Sequence, residues 1–356
     1  MATLAFTRSL GAAALGLAAD HLRGQRRPFV VNHLVTVRCN LQCPFCYVSG
    51  PEQQAFNRAH QPHEAEMTTE EMKDLYRQLV AERFRVAVVL GGEPLLRDDL
   101  GEILSVPAGQ MFVTVFTNGF LLEERLELVA RANAVFLSLD APDDQHDRLR
   151  ATPGAFRRAL SGLEALRRRL PRVRVGLNTT VTRDNAERIP EMLALARGFG
   201  VPIAFQPPSF DGQFEVEGRP HETSAGTAAA PEALGGAFRQ VRAAAEAGQD
   251  VIGTRAFFDH VIEGKTAYPC HYPARVLGPV YPNGDVIGCG RGRSLANVRT
   301  SPVRELLESA AFRENAAAGP GCTRGCRDWG IHDLSAVYER RFTLADARSY
   351  YRVFTT

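Results

Sequence analysis

Apolar residues recur through the first two thirds of the chain in short unbroken runs, separated by longer stretches of helical spacing. Val30-Val31 and Leu34-Val35-Thr36-Val37 open the series. Phe84 to Leu90, Met111 to Phe116, Val135 to Leu139, Val173 to Thr182 and Pro202 to Gln206 continue it. Such β-branched runs predict strands buried on both faces, as in a parallel sheet. Between them, Thr68-x-x-Glu71 is a capping box that opens a helix to about Glu82. Further helices are expected over Leu121 to Ala132, Ala155 to Leu170 and Asn185 to Phe199. Strand and helix alternate six times, which predicts an α/β fold, a partial, open (β/α)6 TIM-like barrel.

The pattern changes after Pro207-Pro208. Residues 209–230 are rich in Gly, Ser, Thr, Ala and Glu and read as a linker or mobile segment. Pro231 takes the favoured first position of a helix over Glu232 to Ala247. Tyr281-Pro282-Asn283-Gly284-Asp285 predicts a hairpin turn, and Asp333 to Tyr351 reads as an arginine-bearing helix that packs on the barrel or closes its pocket. The chain therefore divides into an N-terminal helical extension (1–29), the barrel core (30–208), a linker and helix (209–265), a small C-terminal domain (266–330) and a C-terminal helix (331–356).

Composition adds bounds. The 356 residues suffice for one large and one small domain, and a net charge of +2 gives no case for nucleic-acid binding. Arg167-Arg168-Arg169 reads as a solvated helix face. The apolar stretch Leu10 to Ala19 is too short to span a membrane. An amphipathic helix over residues 4–24, packed on the barrel, is expected, with a membrane-surface role as the alternative. In the polar stretch Ser49 to Glu66, a long loop of the kind that forms lids, His60 and His63 read as solvent-exposed rather than as metal ligands.

The seven cysteines fall into two groups, which favours a reducing compartment and so a cytoplasmic location. The first group, Cys39, Cys43 and Cys46, is spaced CxxxCxxC directly after the first apolar run. Soft thiolates at this spacing select zinc or an iron–sulfur cluster. Three local ligands leave either a distant fourth ligand or an open metal position. Three buried core cysteines are the plainer alternative. Pro44 stiffens the turn, and Phe45 and Tyr47 are placed to shield a metal from water. The second run ends in Gly91-Gly92-Glu93-Pro94, where glycines allow close backbone approach to a ligand and Glu93 offers a carboxylate at the strand's end. A simple turn is the alternative there. Thr117-Asn118-Gly119 closes the third run, and Ser138 and Asp140 end the fourth. Asn178 and Thr180 interrupt the fifth, and polar groups inside a barrel need partners that a ligand could supply.

Cys39-x-x-x-Cys43-x-x-Cys46-Tyr47, with Gly91-Gly92-Glu93-Pro94 in the following unit, resembles the signature of the radical S-adenosylmethionine (radical SAM) enzymes. The resemblance implies that the three cysteines hold a 4Fe–4S cluster whose fourth iron binds SAM. It implies reductive cleavage of SAM to a 5′-deoxyadenosyl radical that abstracts hydrogen from a substrate. It assigns Gly91, Gly92 and Glu93 to the methionine end of SAM and makes Ser138 and Asp140 candidate contacts, with a simple turn at Asp140-Ala141-Pro142 as the alternative; Asn118 and Asn178 are further cofactor-binding candidates. His146-Asp147-Arg148-Leu149-Arg150 is similar to a loop of the family, and Arg150 is a candidate carboxylate partner. An electron donor such as flavodoxin or ferredoxin is implied as partner.

The second group is Cys270, Cys289, Cys322 and Cys326, enough for one closed four-ligand site of zinc or iron–sulfur type. Its arrangement resembles the SPASM extension of radical SAM enzymes or its shortened twitch form. That likeness implies one auxiliary 4Fe–4S cluster, which carries electrons or shapes the pocket. The full pattern has seven cysteines, so a second auxiliary cluster is not expected. His271 is a minor alternative ligand. The expected function is radical SAM oxidation or modification of a peptide or small molecule. A membrane-lipid substrate and a non-enzymatic zinc-binding scaffold are the alternatives.

Overall fold

Parallel strands rich in valine build the frame: β1 (Val30–Leu34), β2 (Val86–Leu90), β3 (Phe112–Thr117), β4 (Ala134–Ser138), β5 (Arg174–Thr180) and β6 (Ile203–Gln206). They come from a computed structural model that describes residues 27–46, 48, 65–208, 215–216, 219–220, 226–265, 267–289, 294–323 and 326–355. The expected helix over residues 4–24, Tyr47, His60, His63 and most of 209–230 lie outside the described residues. A short hairpin, β7 (Glu215–Val216) and β8 (Arg219–Pro220), stands apart. The strands β9 (Val251–Ile252), β10 (Val276–Val280), β11 (Asp285–Ile287) and β12 (Ser294–Asn297) join the main sheet.

The sheet order is β12-β11-β10-β1-β2-β3-β4-β5-β6-β9. Every pair from β10 through β9 is parallel, whereas β11 and β12 are antiparallel additions. With β10 at one side and β9 at the other, the array is an open barrel. The six expected strands are present, and two more extend them. β9 is only two residues long, too short for periodicity to reveal, and β10 lies beyond the linker.

Alternation along each strand separates two interiors. Ala87, Val89, Val113, Val115, Val135, Leu137 and Leu177 point outward into one core with Leu75, Tyr76 and Leu79 of the helix Thr69–Ala81 and Leu163 and Leu166 of Ala155–Arg169. The capping box is present: the Thr68 hydroxyl accepts from Glu71 N at 3.3 Å, and Glu71 Oε2 accepts from Thr68 N at 2.8 Å. The opposite parity, Phe136, Ala204 and Ile252 with Phe116, forms a separate small cluster on the inner face.

Two helix expectations need correction. Only Leu126–Val129 is α-helical within Leu121 to Ala132. Upstream, Thr117 Oγ1 and Asn118 Oδ1 take the Gly119 and Phe120 amide hydrogens at 3.1 and 2.9 Å, which favours turns over an early helix start. The tail is two helices, Trp329–Tyr338 and Leu344–Thr355. Arg340 takes a positive φ of 56° between them, and Thr343 Oγ1 caps the second by accepting from Asp346 N at 3.2 Å. Asn283-Gly284 does turn β10 into β11, with Gly284 at φ 93°. No helix among the described residues is long and apolar enough to cross a membrane.

Candidate functional site

The cysteine loop leaves β1 at the C-terminal end of the parallel strands. Its backbone is clamped to the loop after β2: Gly92 N donates to Thr36 O and Glu93 N to Arg38 O, both at 2.8 Å. This contact explains both glycines. A Cβ on Gly91 would sit 2.4 Å from Thr36 O, and one on Gly92 would sit 2.2 Å from Arg38 O. The close approach expected of Gly91-Gly92 is therefore made to the cysteine loop's own backbone. Farther down, Glu66 braces the same segment by accepting from the Thr36 hydroxyl at 2.7 Å and Val37 N at 3.3 Å, with Arg97 3.5 Å away.

Cys39, Cys43 and Cys46 share one small apolar nest with Leu41, Phe45, Phe120, Ala141 and Leu149. Cys46 N donates to Cys43 O at 3.1 Å, a turn that folds the second and third thiols back on each other. Burial pushes the Cys43 thiol up to about 12, against the pull of the nearby Arg150 guanidinium. A metal bound there would favour the thiolate form. Among the described residues no three His, Cys, Asp or Glu side chains already converge to grip a metal ion, but three soft thiols in one apolar nest are the donor set an iron–sulfur cluster takes.

The remaining candidates divide by what they touch. Glu93 is fully buried, and its carboxylate is enclosed by the protein: Oε1 accepts from Leu95 N at 3.0 Å and the Thr117 hydroxyl at 2.7 Å, and Oε2 from Asn118 N at 2.8 Å. Burial raises its pKa while those donors pull it down. Asn118 links this network to the thiols, with Nδ2 2.9 Å from Asn40 Oδ1 and 3.9 Å from the Cys39 sulfur. Asp140 is fully buried as well; Oδ2 accepts from Arg150 Nε at 2.6 Å and Oδ1 from Thr180 N at 2.8 Å. The carboxylate that Arg150 partners is thus Asp140 of this same chain, and Arg150 Nη1 continues to the Cys43 sulfur at 3.7 Å. The guanidinium also lies 5.2 Å from the Phe45 ring centre. His146 Nδ1 accepts from Asp140 N at 3.1 Å, and burial lowers its pKa to about 4, so it is neutral there. Ser138 and Asn178 are paired in register on the inner face, and Asn178 Oδ1 accepts from Trp329 Nε1 at 3.3 Å.

Sequence reasoning missed the Asp140–Arg150–Cys43 relay as a unit and missed Trp329 altogether. The first had a signal in Arg150. The second had none, because a lone tryptophan in a helical tail carries no spacing.

Cys270, Cys289, Cys322 and Cys326 line one cavity of about 200 Å³ with Tyr268, Pro273 and Asn315. Asn315 Oδ1 holds the Cys289 amide at 3.1 Å, and the Gly319 carbonyl accepts from the Cys270 and Cys322 amides at 3.2 and 3.0 Å. Burial raises the Cys270 thiol to about 11 and drives Cys326 higher still. His271 Nε2 faces Glu339 at 2.6 Å instead of the cavity.

Comparison with known proteins agrees with this geometry. Residues 34–196 match the model of the Radical SAM superfamily. The chain is 31% identical over 183 residues to pre-heme d1 synthase of Dinoroseobacter shibae, covering 50% of this chain and 43% of that protein. Its identity to PqqA peptide cyclase of Gluconobacter oxydans is 32% over 176 residues, 47% and 45% of the two chains. It spans under half the length of these curated relatives. Among solved structures, Streptococcus suis SuiB bound to the precursor peptide SuiA superposes with a TM-score of 0.62 at 15% identity, over 85% of this chain and 71% of that one. At that identity the likeness concerns the fold.

Proposed function

With residues 34–196 belonging to the radical SAM superfamily, we propose that the chain is a radical SAM enzyme acting on a peptide or small molecule. Cys39, Cys43 and Cys46 hold a 4Fe–4S cluster, and S-adenosyl-L-methionine completes it. When bound, that pair supplies reductive cleavage of the sulfonium to a 5′-deoxyadenosyl radical. The chain's own residues position and shield. Leu41, Phe45 and Phe120 keep water from the thiols, and Asn118 and Arg150 present N–H groups to Cys39 and Cys43. Hydrogen bonds to thiolate sulfur stabilise the ligating form and tune the metal site. Glu93 and Asp140, enclosed by the protein, act as positioning groups behind this shell, while Ser138 and Asn178 stand on the inner face where a cofactor or substrate would lie.

The observation that carries the reading is the three-thiol nest seated at the strands' C-terminal end and clamped through Gly91-Gly92. Cys270, Cys289, Cys322 and Cys326 hold one auxiliary 4Fe–4S cluster in this proposal. Support comes from their common cavity of about 200 Å³, roomier than the hole of one zinc ion at Zn–S distances of about 2.3 Å. A reductase such as flavodoxin or ferredoxin supplies the electron. Anaerobic reconstitution followed by iron, sulfide and 5′-deoxyadenosine measurement tests the proposal. Formation of 5′-deoxyadenosine on reduction supports it, and zinc without acid-labile sulfide would favour the scaffold alternative.

A further inference from the structure

We propose that Trp329 and the Phe116–Phe136 pair form the substrate-binding wall of the barrel's inner face, and that this wall takes an aromatic-sized apolar group. The inference rests on the radical SAM reading of the barrel mouth. It adds the class of substrate group and a specificity-determining residue.

Three observations combine. The Phe116 and Phe136 rings stack nearly parallel, 4.9 Å apart at 11°, and the Trp329 ring centre lies 6.0 Å from Phe136. With Ala204, Ile252 and Tyr350 these rings form the inner cluster, and Trp329 also reaches the helix-facing core. Next, Trp329 is fixed in place. It is the first residue of its helix, whose N-cap Asp328 accepts from Ile331 N at 3.0 Å, and its indole N–H bonds Asn178 Oδ1 at 3.3 Å. Asn178 pairs in register with Ser138 on one side and Ala204 on the other, so the indole sits level with the ends of β4 and β5. Finally, Phe116, Ser138 and Trp329 are only half-buried, whereas their outward-facing neighbours Val115, Leu137 and Leu177 have no exposure at all. Phe116, Ser138 and Trp329 therefore keep part of their surface open on the inner face, above the buried Phe136.

Flat ring faces with one hydroxyl at the rim suit an apolar ring, which gains area and favourable ring–ring geometry. A charged group would lose hydration there without a partner. The placement also links two parts of the fold. Trp329 follows Cys326 by three residues, so one short segment contributes to the auxiliary cysteine cavity and to the inner wall.

Trp329 is the chain's single tryptophan, so its emission reports this wall directly. The anaerobically reconstituted full chain, with S-adenosylmethionine present, is titrated with N-acetylphenylalaninamide and, separately, with N-acetylaspartate amide. The phenylalanine probe is expected to shift the emission and protect it from acrylamide quenching; the acidic probe is not. Phe136→Leu should weaken the phenylalanine probe by at least about threefold, with retention of S-adenosylmethionine in equilibrium dialysis unchanged. Phe116→Leu serves as the second variant where the first fails to fold. Equal responses to both probes, or no response to the phenylalanine probe, overturn the proposal. Loss of S-adenosylmethionine retention by the parent chain would instead count against the enzyme reading, and the probe response would still decide the pocket.

Discussion

Arg150 holds two buried partners at once: its Nε lies 2.6 Å from Asp140 Oδ2, and its Nη1 lies 3.7 Å from the Cys43 sulfur. One guanidinium thus ties the end of β4 to the cysteine loop. Lysine has a single compact head and cannot span both. Arg150→Ala leaves the Asp140 carboxylate buried with only the Thr180 amide, at an expected cost of about 3–5 kcal/mol. Thermal unfolding and iron content after reconstitution check this; a variant with full iron and parental stability would remove Arg150 from the site.

Gly92→Ala is expected to be severe. The new Cβ would meet the Arg38 carbonyl at 2.2 Å, and backbone cannot swing aside as a side chain can. A destabilisation of about 1–3 kcal/mol is expected, with the iron bound at Cys39, Cys43 and Cys46 lost before the rest of the barrel unfolds. Denaturant melts read beside the cluster's visible absorbance measure both.

Replacing Cys270, Cys289, Cys322 and Cys326 together by alanine should lower iron by about four per chain and leave 5′-deoxyadenosine formation without substrate measurable. Replacing Cys39, Cys43 and Cys46 should abolish that formation. The contrast separates the two thiol sets by chemistry. Equal loss in both variants would show that the four-cysteine cavity supports the fold of the first site.

Asp333 should lower stability as pH rises from about 4 to about 7, against the buried histidines His33, His146, His260 and His332, whose lowered pKa values act in the opposite direction. The Asp333 carboxyl is buried, and burial lifts its pKa to about 7 against the donors Thr254 and Tyr350. The folded chain holds this proton where the unfolded chain, near 3.8, has released it. This group therefore favours folding at low pH, and its contribution is lost through that window. Asp333→Asn should remove that contribution, so that the variant gains stability relative to the parent as pH rises through the range in a melting series; parallel profiles would take Asp333 out of the pH dependence.

The open barrel was legible because β1 to β6 are short apolar runs and the segments between them carry helical spacing. The thiol nest was legible because its three donors are local. What long-range contact decides was not. Gly91-Gly92 reads alone as a ligand cradle, yet the atoms pressing on it are Thr36 O and Arg38 O, brought there by the pairing of β1 with β2. Asp140 reads alone as a ligand contact, and the fold adds that Arg150 and Thr180 each hold one of its oxygens. In the tail, Thr343 and Asp346 carried a helix-start signal that the run of helix-forming residues obscured. β9 and β10 joined the sheet because its two edges needed covering, a demand that no local window contains.

The pairing of β10 with β1, Val30 against Val276, carries a cost in time. During synthesis β1 leaves the ribosome more than two hundred residues ahead of its neighbour. Until that neighbour arrives, the strand that leads into Cys39 shows an unpaired edge to every other nascent chain nearby. Overproduction should therefore favour aggregates in which this edge is satisfied by the wrong partner, and slower translation should relieve it.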